Sequence, residues 1–180
     1  MDGIRVSSNQ LVTNDFQLRS LFRDDAYWQP QLLTDENGEA FFQATYPDNT
    51  TQWKNYVIGM NRKKQAGLVT TEVNAYKQVM AQLSTPRFLV EGDEVNIVGK
   101  SLNYTGDTLN VKTEFKVEDE VVQRNNNQLA EVAIEKTKIV ASNQDSLQMT
   151  YTLSLDAYGD GEQRSIPIFC LLYTSPSPRD

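Results

Sequence analysis

Acidic side chains are the residues of this sequence whose types and spacing could carry chemistry. They cluster at Asp24-Asp25, Asp35-Glu36, Glu118-Asp119-Glu120 and residues 156–162. A glycosidase needs two carboxylates that face each other across about 5 to 10 Å, one of them with a raised pKa. Here the acids stand beside glycine and asparagine at predicted turns, where capping and solvation account for them. We therefore predict no catalytic residue and no enzymatic activity.

The run at residues 156–162 could also suggest calcium binding, because its acids alternate with glycine. It lacks the twelve-residue spacing and the helical flanks of an EF-hand. The sequence contains no histidine, which is the commonest general base and a frequent metal ligand. Its single cysteine, Cys170, has no partner for a zinc site or an internal disulfide. We expect neither a metal site nor a cofactor.

The charge of the chain limits its partners. The 180 residues carry a formal net charge of -7, so a phosphate backbone or an anionic membrane surface would repel it. No apolar run approaches the roughly 20 residues that span a bilayer, and the residues after Met1 lack the apolar centre of a signal peptide. We expect no nucleic-acid partner and no membrane contact from this segment.

Aromatic residues in the first part of the chain could form a carbohydrate-stacking platform. They are Trp28, Phe41, Phe42, Trp53 and Tyr56. Aromatic side chains at strand positions belong more often to a core, and we predict that role for them. Asn49 and Asn103 begin N-glycosylation patterns, but so short a motif has many false positives and we assign it no role.

Alternation of apolar and polar side chains reveals the strands that would position these residues. It is clearest at residues 109–117 and 148–155 and weaker at 95–100, as in strands with one solvated face. Turn signals separate the strands by roughly 8 to 12 residues, which is typical of a β-sandwich. We predict an all-β protein built from immunoglobulin-like sandwiches. The predicted turns lie at residues 35–38, 46–49, 91–93, 104–107 and 158–161.

Two segments fit this pattern poorly. Residues 74–83 show a helical stripe, but their β-rich flanks favour an extended crossover. The polar residues 125–128 are predicted to form an exposed loop. In a sandwich spanning residues 80 to 169 we expect seven residues to point inward: Phe88, Val95, Ile97, Val111, Phe115, Leu153 and Ile166.

Three stretches, at residues 22–54, 86–93 and 160–168, carry recognisable motifs. In the first, an aromatic strand is followed by a Thr-Asp-x-x-Gly turn, a second strand, a Pro-Asp pair and Trp53. This stretch resembles the segment just after the bait region in the alpha-2-macroglobulin family, especially in its large bacterial members. The second stretch is similar to the opening of the family's next macroglobulin domain, and the third resembles the strand that closes that domain.

The resemblance implies a giant multidomain protease trap, in which cleavage of a bait segment triggers a change that engulfs the protease. Residues 1–78 would be a partial macroglobulin-like sandwich, and residues 79–169 a nearly complete one. The bait would lie before residue 22, so residues 1–20 would hold its trailing edge or the strand after it. The implied partners are the other domains of the same full-length protein, together with its target proteases. An extracytoplasmic location, periplasmic or at the cell surface, is expected for that full-length protein.

The family's thioester requires a Cys-Gly-Glu-Gln run, and Gly161-Glu162-Gln163 matches only the last three residues. Asp160 stands where the cysteine sulfur would be, and an aspartate cannot form the thioester. We interpret Gly161 as a turn residue and Glu162 and Gln163 as solvated. The resemblance implies that this segment is part of the scaffold of a broad-range endopeptidase inhibitor.

Two functions from other classes stay open, because β-sandwiches host many activities. One is a cell-surface adhesion or glycan-binding module. The other, less favoured, is the accessory domain of a glycosidase.

The composition changes abruptly at Cys170. Residues 170–180 look like the translation of a transposase-type sequencing adaptor, and such tails are excluded from fold reasoning. The alternative is a Pro/Ser-rich linker. We expect this tail to be disordered and assign no role to Cys170.

Overall fold

A computed structural model describes residues 16–156 and 158–170, and within these ranges every regular element is a β-strand. The all-β prediction is confirmed. Inside the same ranges there is no helix with the length and apolar character that a membrane crossing requires. The strands are β1 (Gln17–Arg19), β2 (Gln52–Met60), β3 (Ala66–Asn74), β4 (Val79–Ser84), β5 (Leu89–Val90), β6 (Glu94–Asn103), β7 (Leu109–Val117), β8 (Glu120–Leu129), β9 (Val132–Val140), β10 (Ser146–Leu155) and β11 (Tyr158–Phe169).

The chain divides into two compact units. Of the described residues, 21–77 form the first unit, and 16–20 together with 78–170 form the second. The domains expected at residues 1–78 and 79–169 stay a prediction. The structure adds that strand β1, which precedes residues 21–77 in sequence, belongs to the second unit.

The first unit is built on one antiparallel hairpin, β2–β3, whose register runs from Gln52 opposite Asn74 to Met60 opposite Ala66. A long segment, residues 21–51, precedes it without further strands in the described part. Its ends are held together where the Leu21 N–H donates to Asp48 Oδ2 at 2.9 Å and the Asp48 N–H donates to the Leu21 carbonyl at 2.8 Å. The predicted turn at residues 35–38 is confirmed, with Gly38 at a φ of 81°.

The second unit is a sandwich of two sheets. One has the order β1-β11-β10-β7-β8, with β5 also paired to β11, and the other has the order β4-β6-β9. Alternating apolar residues of both sheets form one core, because successive strand residues point to opposite faces. Its largest fully buried members include Phe115, Tyr151, Ile97, Leu153 and Ile166.

The predicted inward set is confirmed for most members, while Val95 is partly buried. It is wrong for Phe88, which is 55% exposed. The neighbouring Leu89 takes the inward place, so Phe88 must point outward, where its ring lies 5.6 Å from that of Phe169.

The loop predicted at residues 125–128 is also wrong, because these residues lie within β8 and pair with β7. Strand β8 is an edge strand of its sheet. Polar side chains are tolerated there, because the outer face of an edge strand does not pack against a hydrophobic core. The helical alternative for residues 74–83 is absent, since β3 ends at Asn74 and β4 begins at Val79.

Cys170 is the last residue that the structure describes, and its thiol is exposed. A hydrogen bond with Glu91 raises the pKa of this thiol, so little of the reactive thiolate is present at neutral pH. The rest of the predicted tail, residues 171–180, lies outside the described residues.

Candidate functional site

The most concentrated polar chemistry of the second unit surrounds Arg19, at the end of β1. Strand β1 runs parallel to β11, with Gln17 opposite Asp160 and Arg19 opposite Glu162. The side chains of Arg19, Asp160 and Glu162 therefore share one face of the sheet. All three are buried, at 3%, 0% and 4% exposure. We call Arg19, Asp160 and Glu162 the Arg19 cluster.

The Arg19 guanidinium binds both carboxylates at hydrogen-bond distance. Its Nε and Nη2 donate to the two oxygens of Asp160 at 3.1 and 2.9 Å, and Nη1 donates to Glu162 Oε1 at 2.8 Å. Nη2 also donates to the Ala81 carbonyl. A planar guanidinium that meets a carboxylate through two parallel bonds is the strongest of the common side-chain ion pairs.

The same carboxylates occupy the outer edge of β4, the neighbouring strand of the other sheet. Asp160 Oδ2 accepts the Ala81 N–H, and Glu162 Oε2 accepts the Leu83 N–H, each at 2.9 Å. The Tyr158 hydroxyl donates to the Val79 carbonyl at 2.7 Å. Side chains of β11 thus satisfy backbone groups that an edge strand would otherwise leave open.

The electrostatics favour the charged form of Arg19. Burial by itself lowers the pKa of Arg19, but the hydrogen bond and charge of Asp160, followed by those of Glu162, outweigh it and raise that pKa above its ordinary value. Burial, followed by the charge of Asp160, raises the pKa of the Tyr158 hydroxyl. The guanidinium consequently stays charged at any pH at which the protein is folded.

The opposite face of this edge is shaped by two glycines of β11. A Cβ at Gly159 would stand 2.2 Å from Cδ2 of Phe16, and one at Gly161 would stand 3.0 Å from Cδ1 of Leu18. Phe16 and Leu18 therefore lie against the backbone of β11. A residue larger than glycine at position 159 or 161 would occupy the space of their side chains.

A second polar group joins the two sheets further inside. Glu135 of β9 accepts bonds from Thr113 at 2.8 Å and from Tyr151 at 3.3 Å, and also accepts one from Asn127. The Tyr151 hydroxyl is 2.8 Å from Ser101 Oγ. Burial, and less strongly the nearby Glu135 charge, raise the pKa of Tyr151 well above its usual value. This phenol is a neutral hydrogen-bonding group and not a base.

These arrangements support structure and offer no reaction centre. The carboxylates of Asp160 and Glu162 are bridged by one guanidinium and closed off from solvent. A glycosidase pair needs a substrate between its carboxylates and a proton on one of them. In the described ranges, no group of three or more acidic or cysteine side chains could hold a metal ion.

The calcium interpretation of residues 156–162 finds no support, because the oxygens of Asp160 and Glu162 already accept N–H groups. The sequence-based view of these residues was wrong in another way. Residues 158–161 were predicted as a turn, Gly161 as a turn residue and Glu162 as solvated, yet all lie in β11 and Glu162 is buried. Glycine and aspartate mimic turn composition.

The other acidic clusters behave as predicted at turns and surfaces. Asp35 Oδ1 accepts the N–H groups of Asn37 and Glu39, each at 2.9 Å, and the Glu39 backbone bond is the main reason why the pKa of Asp35 is lowered. Glu118 Oε1 accepts the Gln148 N–H at 3.0 Å. Asp25 forms an exposed ion pair with Arg23.

The prediction that the aromatic residues of the first unit are core residues holds for Trp53, which is 8% exposed, and is wrong for the other four. Trp28 is 85% exposed and Phe41 is 83% exposed. A two-stranded hairpin offers too little sheet surface to cover them. Tyr46 packs against Trp53 with 5.5 Å between ring centroids.

Asn103 has a structural role that its glycosylation pattern did not suggest. It is buried, and its Nδ2 donates to the carbonyls of Asp107, Leu129 and Ala130 at 2.7, 3.0 and 2.9 Å. An amide nitrogen has two hydrogens, so one of them is shared between two carbonyls. This nitrogen is not accessible for a glycan.

Sequence reasoning missed Arg19 altogether. The signal that could have found it is local: Phe16, Leu18 and Arg19 lie in a short pattern with apolar residues two apart. Asp160 and Glu162, also two apart, would share one face if the segment were a strand. The long-range pairing of the two segments has no signature in a single sequence.

Comparisons with known proteins place this fold among its relatives. A model of the alpha-2-macroglobulin family matches residues 25–115. The chain is similar to the native conformation of E. coli alpha-2-macroglobulin at 16% identity and a TM-score of 0.56, over 76% of this chain and 9% of that one. It is similar to Salmonella alpha-2-macroglobulin reacted with methylamine at 17% identity and a TM-score of 0.54, over 75% and 10%. At such identities the structural likeness concerns the fold, and the chain spans about a tenth of the length of these relatives.

Proposed function

Since the chain belongs to the alpha-2-macroglobulin family, we propose that it is a scaffold portion of a broad-range endopeptidase inhibitor that traps proteases. The observation that carries the proposal is the family match over residues 25–115. That match continues across the junction of the two units at residues 77 and 78. A family segment that spans two units supports a multidomain origin better than a match confined to one.

The chemistry of the second unit is consistent with a scaffold. Its buried polar side chains, in the Arg19 cluster and around Glu135, bind one another and the backbone of neighbouring strands. Asp160, the residue before Gly161-Glu162-Gln163, binds Arg19 and accepts the Ala81 N–H. We propose that any thioester of the full-length protein lies in another part of it.

The partners proposed for this segment are the other domains of the same protein, with proteases as targets of the whole. We propose an extracytoplasmic location, periplasmic or at the cell surface. Both follow from the family and not from a feature of this chain.

The test uses the full-length protein that contains this chain, mixed with several endopeptidases. Residual activity is measured on a large protein substrate and on a small peptide substrate. A trap blocks cleavage of the large substrate and spares the small one, because a caged active site still admits peptides. Equal inhibition of both substrates would indicate a conventional active-site inhibitor, and no inhibition of either would remove the proposal.

The second candidate, a glycan-binding module, has one observation in its favour: the exposure of Trp28 and Phe41 in the first unit. Exposed aromatic rings can stack on sugars. Titration of the chain with oligosaccharides, followed by tryptophan fluorescence, tests it with Trp28→Ala as the control. A saturable change that this substitution abolishes would favour glycan binding.

A further inference from the structure

We propose that the space between the edges of β4 and β11 is a binding site for an extended, arginine-containing peptide segment. In this structure residues 16–19 fill it, and the same segment could enter it in trans. The inference concerns the second unit alone and does not depend on protease trapping.

The site selects arginine by its shape. The guanidinium meets Asp160 through two bonds, Glu162 through a third and the Ala81 carbonyl through a fourth. These four contacts use Nε and both terminal nitrogens of the guanidinium, whereas a lysine ammonium has only three hydrogens on one nitrogen. Asp160 and Glu162 also accept backbone N–H groups of β4, so β4 orients both carboxylates toward the arginine. The pocket is thus organised by the second unit itself.

The site also favours apolar residues at the positions of Phe16 and Leu18, whose side chains lie on the opposite face of the strand from Arg19. Gly159 and Gly161 have no side chain, so the side chains of Phe16 and Leu18 can lie against the backbone of β11. A strand added to a sheet edge gains affinity from the backbone and specificity from alternate side chains. The expected ligand is an extended segment with an apolar residue, any residue, an apolar residue and arginine in that order.

The segment of residues 16–19 can exchange with a free peptide because its strand pairing with β11 is short. Strand β1 has three residues and three register pairs with β11. It is joined to the rest of the second unit only through the first unit, residues 21–77. Such a tether gives an effective concentration on the order of millimolar at most. A free peptide at comparable concentration should enter the site once the tethered strand is weakened.

The experiment uses the full chain with Leu18→Ala, which weakens β1 and leaves the ion pairs in place, and a second chain with Arg19→Ala. Each is titrated to about 1 mM, the order of the tethered concentration, with a capped peptide of the sequence of residues 16–20. The control peptide has alanine in place of its arginine. Binding is followed by the amide resonances of Gly159, Gly161, Ala81 and Leu83 and by thermal unfolding.

We expect the arginine peptide to shift these resonances in both variants and to raise the unfolding midpoint by about 2 to 4 °C. The control peptide should do neither. If Arg19→Ala does not fold alone, recovery of the folded spectrum with the arginine peptide supports the site. Equal responses to the two peptides would overturn it. So would the absence of any response in Leu18→Ala and of any recovery in Arg19→Ala.

Discussion

Gly99 of β6 faces the rings of Phe115 and Tyr151 in the other sheet of the second unit. A Cβ at this position would stand 2.6 Å from both Phe115 Cζ and Tyr151 Cε2. Both rings are fully buried, with centroids 4.6 Å apart, so neither can move aside without disturbing the core. We expect Gly99→Ala to lower the free energy of unfolding by about 1 to 3 kcal/mol, measured by chemical denaturation.

The control for Gly99 is Gly59, a strand glycine with no atom within 4 Å of the added Cβ. Gly59→Ala should be neutral or slightly stabilising, since alanine restricts the unfolded chain more than glycine does. Phe115→Leu should cost less stability in the Gly99→Ala protein than in the wild type, because the smaller side chain leaves space for the new methyl group. Strict additivity of the two substitutions would contradict the packing explanation.

The side chain of Asn103 holds three backbone carbonyls in place. Asn103→Asp keeps the shape but replaces the Nδ2 donor with an oxygen facing three carbonyls. We expect a loss of about 2 to 3 kcal/mol, since buried acceptors lose their donor and meet a negative charge. Asn126→Asp, on the exposed side of β8, should change stability by less than about 0.5 kcal/mol. Similar losses for both would show that the hydrogen bonds of Asn103 are unimportant.

The β7–β8 hairpin carries an ion cluster that makes part of its stability depend on pH. Glu114 lies 2.9 Å from the Lys112 ammonium and 2.8 Å from Arg124 Nε, and the bond to Lys112 is the main reason why its pKa is lowered. A carboxyl with a lowered pKa stabilises the fold above its unfolded pKa, and this contribution is lost as the pH falls through its folded pKa.

We therefore expect Glu114→Gln to lose at most about 1 kcal/mol at neutral pH, since both cations are about half exposed. The loss should disappear in strongly acidic solution. Denaturation at several pH values measures it, with Glu120→Gln, an exposed residue of the same hairpin, as control. A difference between wild type and Glu114→Gln that persisted at low pH would point to packing and not charge.

How far an element could be predicted depended on whether its pattern was set locally. Strand β7 was found because its inward Val111 and Phe115 alternate with charged residues. Strands β8 and β11 were missed in part. Asn125 to Gln128 are extended because β7 lies beside them, and Asp160 and Glu162 are extended because Arg19 and β4 supply their partners. Pairing between distant segments overrode local composition.

The same division applies to the candidate site. That the chain lacks a histidine was readable directly from the sequence, and so was the presence of Asp160, not a cysteine, before Gly161-Glu162-Gln163. The burial of Asp160 and Glu162 was not readable, because it requires an arginine 141 residues away. Charged residues are rarely buried without partners, so a lone acidic residue in a sequence is expected at the surface.

For the chain as a whole, we expect neither cleavage of a substrate nor inhibition of a protease. Trapping needs a bait, a moving partner domain and an enclosure, and the chain spans only about a tenth of the related chains. The measurement is an excess of the purified chain with several endopeptidases, assayed on large and small substrates. Selective protection of the large substrate by this chain alone would place a complete inhibitory element within residues 1–169.

Among the described residues, the segment 21–77 of the first unit lies in sequence between β1 and the rest of the second unit. Two backbone connections therefore join residues 21–77 to the second unit, one after Ser20 and one before Gln78. Severing the backbone between residues 77 and 78 would cut only one of these. The fragments should then co-elute in gel filtration while separating on a denaturing gel, held by β1 and the Arg19 cluster. With Arg19→Ala in the severed protein, β1 should dissociate from β11, and the two fragments should elute separately.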